Sequence, residues 1–127
     1  MEYSLEGQEV SRLCFDYAVV IETVDGTELR IETPFRLSSA DSTHLDEVHP
    51  DRLDEMGSVV VGLLRQQIVR ASIDESGALS LRFARGQRLE CPPDPKFEAW
   101  TLVTASGEQM VCLPGGGVAH WSGSSSS

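Results

Sequence analysis

Residues 78–91 read ALSLRFARGQRLEC, and this stretch decides the fold. Leu79, Leu81 and Phe83 alternate with Ser80, Arg82 and Ala84, Arg85-Gly86 interrupts the run, and Leu89 and Cys91 resume it. Period two puts the apolar residues on one face of a strand, and a glycine between two such runs accepts the positive φ of a tight turn. The stretch predicts a half-buried β-hairpin. The same pattern occurs earlier, where Tyr17–Thr23 and Thr27–Thr33 flank the turn signal Asp25-Gly26. There Leu29 and Ile31 face inward and Glu28, Arg30 and Glu32 face outward.

Each hairpin is preceded by one more strand, Gln8–Phe15 in the first copy and Gln66–Ile73 in the second. Val10 to Asp16 matches Ile68 to Asp74 at an offset of 58, and Gly26 and Leu29 match Gly86 and Leu89 at an offset of 60. A longer turn in the second copy accounts for the difference. The chain therefore reads as two three-stranded meanders related by a pseudo-twofold axis, neither able to bury its apolar face alone.

The remaining segments fit around this pair. Pro34 ends the third strand, because proline has no N–H to give to a ladder. Residues 34–65 form an acidic insertion without a clear strand period. It is read as loop with a helical turn near Pro50–Met56, followed by a short helix over Ser58–Leu64 with Ser58 as N-cap. Pro92-Pro93-Asp94-Pro95 is a stiff connector into a C-terminal hairpin over 97–121, and the Ser/Gly-rich residues 122–127 read as a disordered tail. The expected fold is mainly β, an antiparallel sheet or sandwich of about eight strands built from repeat 1 (about 8–33) and repeat 2 (about 66–91), with a short helix or loop insertion between them.

Composition bounds the function. The 127 residues are 40% hydrophobic and 24% charged, which suits one globular domain spanning 1–121. Residues 1–60 carry 14 acidic and 4 basic side chains and residues 61–127 carry 6 of each, so the net charge of −10 lies in the first half. Such acidity repels phosphate backbones, so nucleic acid is not an expected partner; a basic protein is. No apolar run approaches the roughly 18 residues of a membrane span, and the acidic N-terminus does not resemble a secretory signal, so a cytoplasmic location is expected. Cys14, Cys91 and Cys112 are spaced for no disulfide framework or metal knuckle and read as buried thiols.

Four groups of residues have site-like chemistry. His44, Asp46, Glu47 and His49 gather imidazoles and carboxylates that are competent metal ligands, although their spacing fits an acidic loop better than a metal motif. Asp46, Glu47, Asp51 and Asp54 make an acidic surface for a basic partner. Glu98 stands between Phe97 and Trp100, where burial would raise a carboxyl pKa. Gly115 and Gly116, with Gly117, form a loop able to offer backbone amides to an anion, with Trp121 just beyond. No catalytic or cofactor motif accompanies them, so no cofactor is expected.

The runs GALSLRFARGQRLECPPDPKFEAW and MVCLPGGGVAHW resemble a family of small uncharacterised actinobacterial proteins with an E-A-W…P-G-G…W framework. The resemblance covers Leu63 to Trp121 well and residues 7–33 loosely, leaving out Ser38 to Gly57. It implies no activity, and its most recognisable positions here are Glu98, Trp100, Gly115, Gly116 and Trp121. The leading expectation is a non-enzymatic protein-binding domain, in concrete form an immunity-type inhibitor covering the basic site of a toxin, with the acidic half or the Trp100/Trp121 region as its surface. The alternatives are a small-molecule binder or hydrolase with a pocket near Glu98, Trp100 and Gly115–Gly117, and a homo-oligomer joined through its outer faces.

Overall fold

The computed structural model describes residues 5–41, 43–51 and 57–121. In chain order these form strands Val10–Phe15 (β1), Val19–Thr23 (β2), Glu28–Ile31 (β3), Phe35–Ser38 (β4) and Leu45–Val48 (β5), then the single-turn helix Gly57–Val61 (α1). Strands Ile68–Ile73 (β6), Leu79–Phe83 (β7), Arg88–Cys91 (β8), Trp100–Val103 (β9), Gln109–Cys112 (β10) and Val118–Trp121 (β11) follow. They make two antiparallel sheets, ordered β1-β2-β3-β9-β10-β11 and β5-β4-β8-β7-β6. The fold is mainly β, as the alternation predicts. Among the described residues no helix is long and apolar enough to cross a membrane.

The two meanders correspond position by position. Both hairpins close on the same loop: Thr23 N–H donates to Thr27 O and Gly26 N–H to Thr23 O, while Phe83 N–H donates to Gln87 O and Gly86 N–H to Phe83 O. Gly26 and Gly86 have φ of 91° and 92°, a left-handed conformation that carries no Cβ penalty in glycine. Each first strand also carries a bulge at the same place, between Val10 and Arg12 in β1 and between Ile68 and Arg70 in β6. The added residues of the second copy lie between β6 and β7, where Asp74–Ala78 replaces Asp16–Ala18.

The correspondence begins before the strands. Gly7 N–H donates to Ile68 O at 2.7 Å and Arg65 N–H to Val10 O at 2.8 Å, a reciprocal pair at the offset of 58. Between them lie the antiparallel bridge Glu9–Gln67 and the reciprocal bonds Val10 N–H to Gln66 O and Ile68 N–H to Gln8 O. These bonds join the starts of β1 and β6 and mark the pseudo-twofold axis. Leu5 and Leu63, also equivalent, are both fully buried.

Completion of the sheets is crossed. After β3 the chain turns at Pro34 into the other sheet, where β4 pairs with β8; after β8 it returns, and β9 pairs with β3. Each half thereby supplies the strands that extend the other half's meander. The enclosed core contains Ile21, Leu29, Ile31 and Leu102 from one sheet and Leu37, Leu79, Leu81 and Leu89 from the other. Each fully buried aliphatic side chain of this kind contributes roughly 1.5–3 kcal/mol.

The strand number among the described residues, eleven rather than about eight, departs from expectation mainly because residues 34–65 include the hairpin β4–β5. Its pattern is out of phase with its register: Leu45 is exposed, while Asp46 pairs with the buried Leu37 and so lies on the core side, half-buried. Pairing to β8 overrides the local signal. A helix is present at Gly57–Val61, shorter than the expected Ser58–Leu64, and Ser58 lies within it rather than at its N-cap; residues 62–65 form a turn. The helical turn over Pro50–Met56 falls largely, and the tail 122–127 wholly, outside the described residues.

The two-residue insertion between β6 and β7 has a packing role. It carries Ser76 and Gly77 over the end of the first sheet, where Ser76 O accepts from Gly117 N–H and Gly77 O accepts from Trp100 Nε1–H at 2.9 Å. Trp100 is fully buried. Trp100→Phe is expected to lower unfolding stability by about 2 kcal/mol, because it strands the Gly77 carbonyl and shrinks the core side chain. Equilibrium urea unfolding checks this. Arg65, at φ 71°, holds the left-handed position that Gly7 holds in the first copy. Arg65→Gly is expected to raise stability by up to about 1 kcal/mol, since a side chain in that conformation costs about 1–2 kcal/mol and glycine returns part of the gain as entropy. The same measurement reads it.

Candidate functional site

The inward positions of both sheets are committed to the core, so chemistry available to a partner lies on the outer faces. On the first sheet the register sets one row across all six strands: Arg12, Glu22, Glu28, Val103, Gln109 and Trp121. With strands about 4.8 Å apart the row spans about 24 Å. Its left part is acidic: Glu22 and Glu28 lie directly opposite each other, an arrangement of like charges that weakens a sheet. Its right part is apolar, with Val103 exposed and Trp121 at 52% exposure. The adjoining row on this face includes Val20 and Val111, both buried beneath the longer side chains around them.

The acidic end is held by the β2–β3 turn. Asp25 accepts from Thr23 Oγ1–H at 2.5 Å and from Thr27 N–H at 3.0 Å. These hydrogen bonds, the one from Thr23 foremost, lower its pKa against the opposing effect of burial. The same capping recurs elsewhere. Asp74 accepts from the Ser76 hydroxyl and from Ser76 and Ala78 N–H, the hydroxyl bond contributing most to its lowered pKa. Asp41 accepts from the Thr43 hydroxyl, Thr43 N–H and the Ser39 hydroxyl, and its pKa falls to about 2, with the Thr43 hydroxyl as the largest cause.

The residues singled out from sequence are dispersed. Asp46 and Glu47 leave opposite faces of β5, Glu47 outward opposite Arg36, so they do not form one acidic surface. Asp51 is exposed beyond β5, and Asp54 lies outside the described residues. Among the described residues His44, Asp46 and His49 are not gathered around a common point. His49 Nε2 is 3.5 Å from Glu47 Oε1 and His44 Nδ1 is 3.1 Å from Thr43 Oγ1, and among the described residues no three His, Cys, Asp or Glu side chains are placed to share an ion.

Three further residues have structural surroundings. Gly115 N–H donates to Asp94 O, Gly116 N–H to Leu113 O and Gly117 N–H to Ser76 O, so this loop has no amide left over for an anion. Trp100 is core rather than surface. Glu98 is exposed rather than enclosed between Phe97 and Trp100. Cys91 and Cys112 are buried thiols, and Cys14 is half-buried. Burial pushes the Cys91 pKa up to about 12 and also raises that of Cys112, so both stay protonated and unreactive near neutrality.

One sequence-family profile matches the chain over residues 1–122, that of a family of unknown function, DUF6188. The chain belongs to this family. Its match includes residues 38–57, the acidic segment containing β5. No match was found among curated proteins or among solved structures. Glu22 and Glu28 were legible as outward positions from the period-two pattern, but nothing local pointed to Val103 as their neighbour. That contact depends on β3 pairing with β9.

The capped aspartates predict an acid limb in stability. A carboxylate whose folded pKa is depressed contributes stability above its unfolded pKa and loses that contribution as pH falls through the folded value. For Asp41 the window runs from 3.8 down to about 2. Urea midpoints of the wild type are expected to fall across this window, and Asp41→Asn, which keeps the acceptor oxygen but cannot ionise, is expected to show a shallower fall.

Proposed function

We propose that the chain is a non-enzymatic protein-binding domain whose binding surface is the outer face of the first sheet, and that its partner is basic. One observation carries the reading: a single cross-strand row joins the acidic pair Glu22/Glu28 to the exposed Val103 and Trp121. An apolar, aromatic patch beside a mainly acidic one is the composition of an interface, in which the aromatic anchors and the charges steer and select. A face about 24 Å across suits the roughly 800 Å² that each partner contributes to a standard interface. An inhibitor of the immunity type, laid over the basic site of a toxin, is the concrete form of this function.

We also infer that the E-A-W…P-G-G…W framework is chiefly a brace. Trp100 and the glycine loop are tied to the β6–β7 turn, and Trp121 is the large apolar side chain of the framework that remains outside to contact a partner. The pocket reading centred on Glu98 has no comparable geometry behind it.

The test is affinity capture from native-host lysate at low and at high salt. The wild type is expected to retain a basic protein at low salt and to release most of it at high salt. Glu22→Lys/Glu28→Lys, and separately Trp121→Ala, are expected to retain at least about tenfold less while keeping the wild-type circular dichroism spectrum. Undiminished capture by both variants would overturn the assignment of this face.

A further inference from the structure

The corresponding row on the second sheet has the opposite charge. Arg70 on β6 pairs directly with Arg82 on β7, and Arg82 with Arg88 on β8. Three guanidinium groups thus leave one face from adjacent strands, a juxtaposition of like charges that weakens the sheet. Ser38 continues the row on β4, so no carboxylate within it offsets the charge. Among the described residues the ion pairs join Arg30 to Glu32 and His49 to Glu47, and neither involves these arginines. The next row runs Ser72, Ser80, Glu90, Arg36 and Glu47, which sets Arg36 between two carboxylates. The three aligned arginines share the face with one nearby carboxylate, Glu90, two residues along β8 from Arg88.

These arginines also enclose space. With Ser72, Ser80 and Glu90 they line a concavity of about 260 Å³ on the outer face of β6, β7 and β8. The concavity is open to solvent on its outer side. The pseudo-twofold provides an internal comparison. Positions equivalent to Arg70, Arg82 and Arg88 in the first sheet are Arg12, Glu22 and Glu28, so one geometry carries three positive charges on one side and a mixed, mainly acidic set on the other.

We propose that this concavity binds a small phosphorylated ligand with a hydroxylated body. A phosphoryl dianion presents several terminal oxygens, each able to accept from a guanidinium fork, and so neutralises more than one arginine at once. A single carboxylate does less. Arg70, Arg82 and Arg88 take the phosphoryl group, and Glu90 with the Ser72 and Ser80 hydroxyls takes hydroxyls on the rest of the molecule. Among the described residues no aromatic side chain lines the concavity to serve as a stacking platform. The site lies on the opposite sheet from the proposed protein-binding face and stands or falls independently of it.

The experiment compares thermal unfolding of the whole chain in inorganic phosphate, in glycerol phosphate and in sodium chloride at equal ionic strength, with calorimetric titration of both phosphates. The wild type is expected to show a saturable rise in midpoint with each phosphate and tighter binding of glycerol phosphate. Arg82→Gln/Arg88→Gln is expected to bind at least about tenfold more weakly and, without anion, to unfold at a higher temperature than the wild type because the repulsion is gone. Arg30→Gln, which removes a guanidinium from the other sheet, is expected to keep the phosphate response. An equal rise in wild type and arginine variant, the behaviour of an excluded salt, would overturn the proposal. So would binding of polyglutamate with no response to either phosphate, which would assign the arginines to an acidic protein segment. Salt-sensitive self-association abolished by the arginine variant would likewise overturn it, in favour of a second copy's acidic row.

Discussion

Reciprocal backbone pairing between the two repeats, centred on Glu9 and Gln67, is the constraint on which both sheets depend. A three-stranded meander has one apolar face and two open edges, and in water it is marginal by itself. Joining the starts of β1 and β6 opposes the two apolar faces. Exchange of the following hairpins then covers one further edge of each meander, as β4 joins β8 and β9 joins β3. Neither half holds a complete sheet made only from its own strands. Loss of either half therefore exposes the other's core, and the chain is expected to unfold as one unit.

Symmetry is strict where packing demands it and broken where packing does not. Leu5 and Leu63, Leu29 and Leu89, and Ile31 and Cys91 occupy equivalent buried positions and stay apolar. The inserted residues at Asp74–Ala78 break the repeat where the turn must reach Trp100 and the glycine loop. On the outer faces charge is under no such restraint, and there Glu22 and Glu28 stand where the other copy has Arg82 and Arg88. Outer rows that are equivalent in the repeat but differ in charge can serve two different ligands, and the proposed protein surface and phosphate site are assigned on that basis.

Hydrogen bonding also decides which polar groups remain available. The amides of Gly115, Gly116 and Gly117 are consumed within the fold, as is the Trp100 indole N–H. Asp25, Asp41 and Asp74 spend their acceptor capacity on their own turns. Among the described residues the Thr27 and Thr33 hydroxyls are buried without a partner, and the charged groups not drawn into turns stand on the outer rows.

The sequence by itself determined the elements whose apolar period and turn chemistry agree. These were the six meander strands, both glycine turns, the bulk of the C-terminal hairpin and the outward direction of Glu22, Glu28, Arg82 and Arg88. Period two and a glycine at positive φ are local properties, so local pattern suffices for them. The tertiary structure alone decided the rest. Strands β4 and β5 exist because β8 offers an edge, against a pattern that exposes Leu45 and turns Asp46 inward. The row from Glu28 to Val103 and Trp121 exists because β3 pairs with a strand some seventy residues away. Glu98, Trp100 and the glycine loop looked alike as candidates because a sequence records which groups can bond, whereas only the folded chain determines which already have.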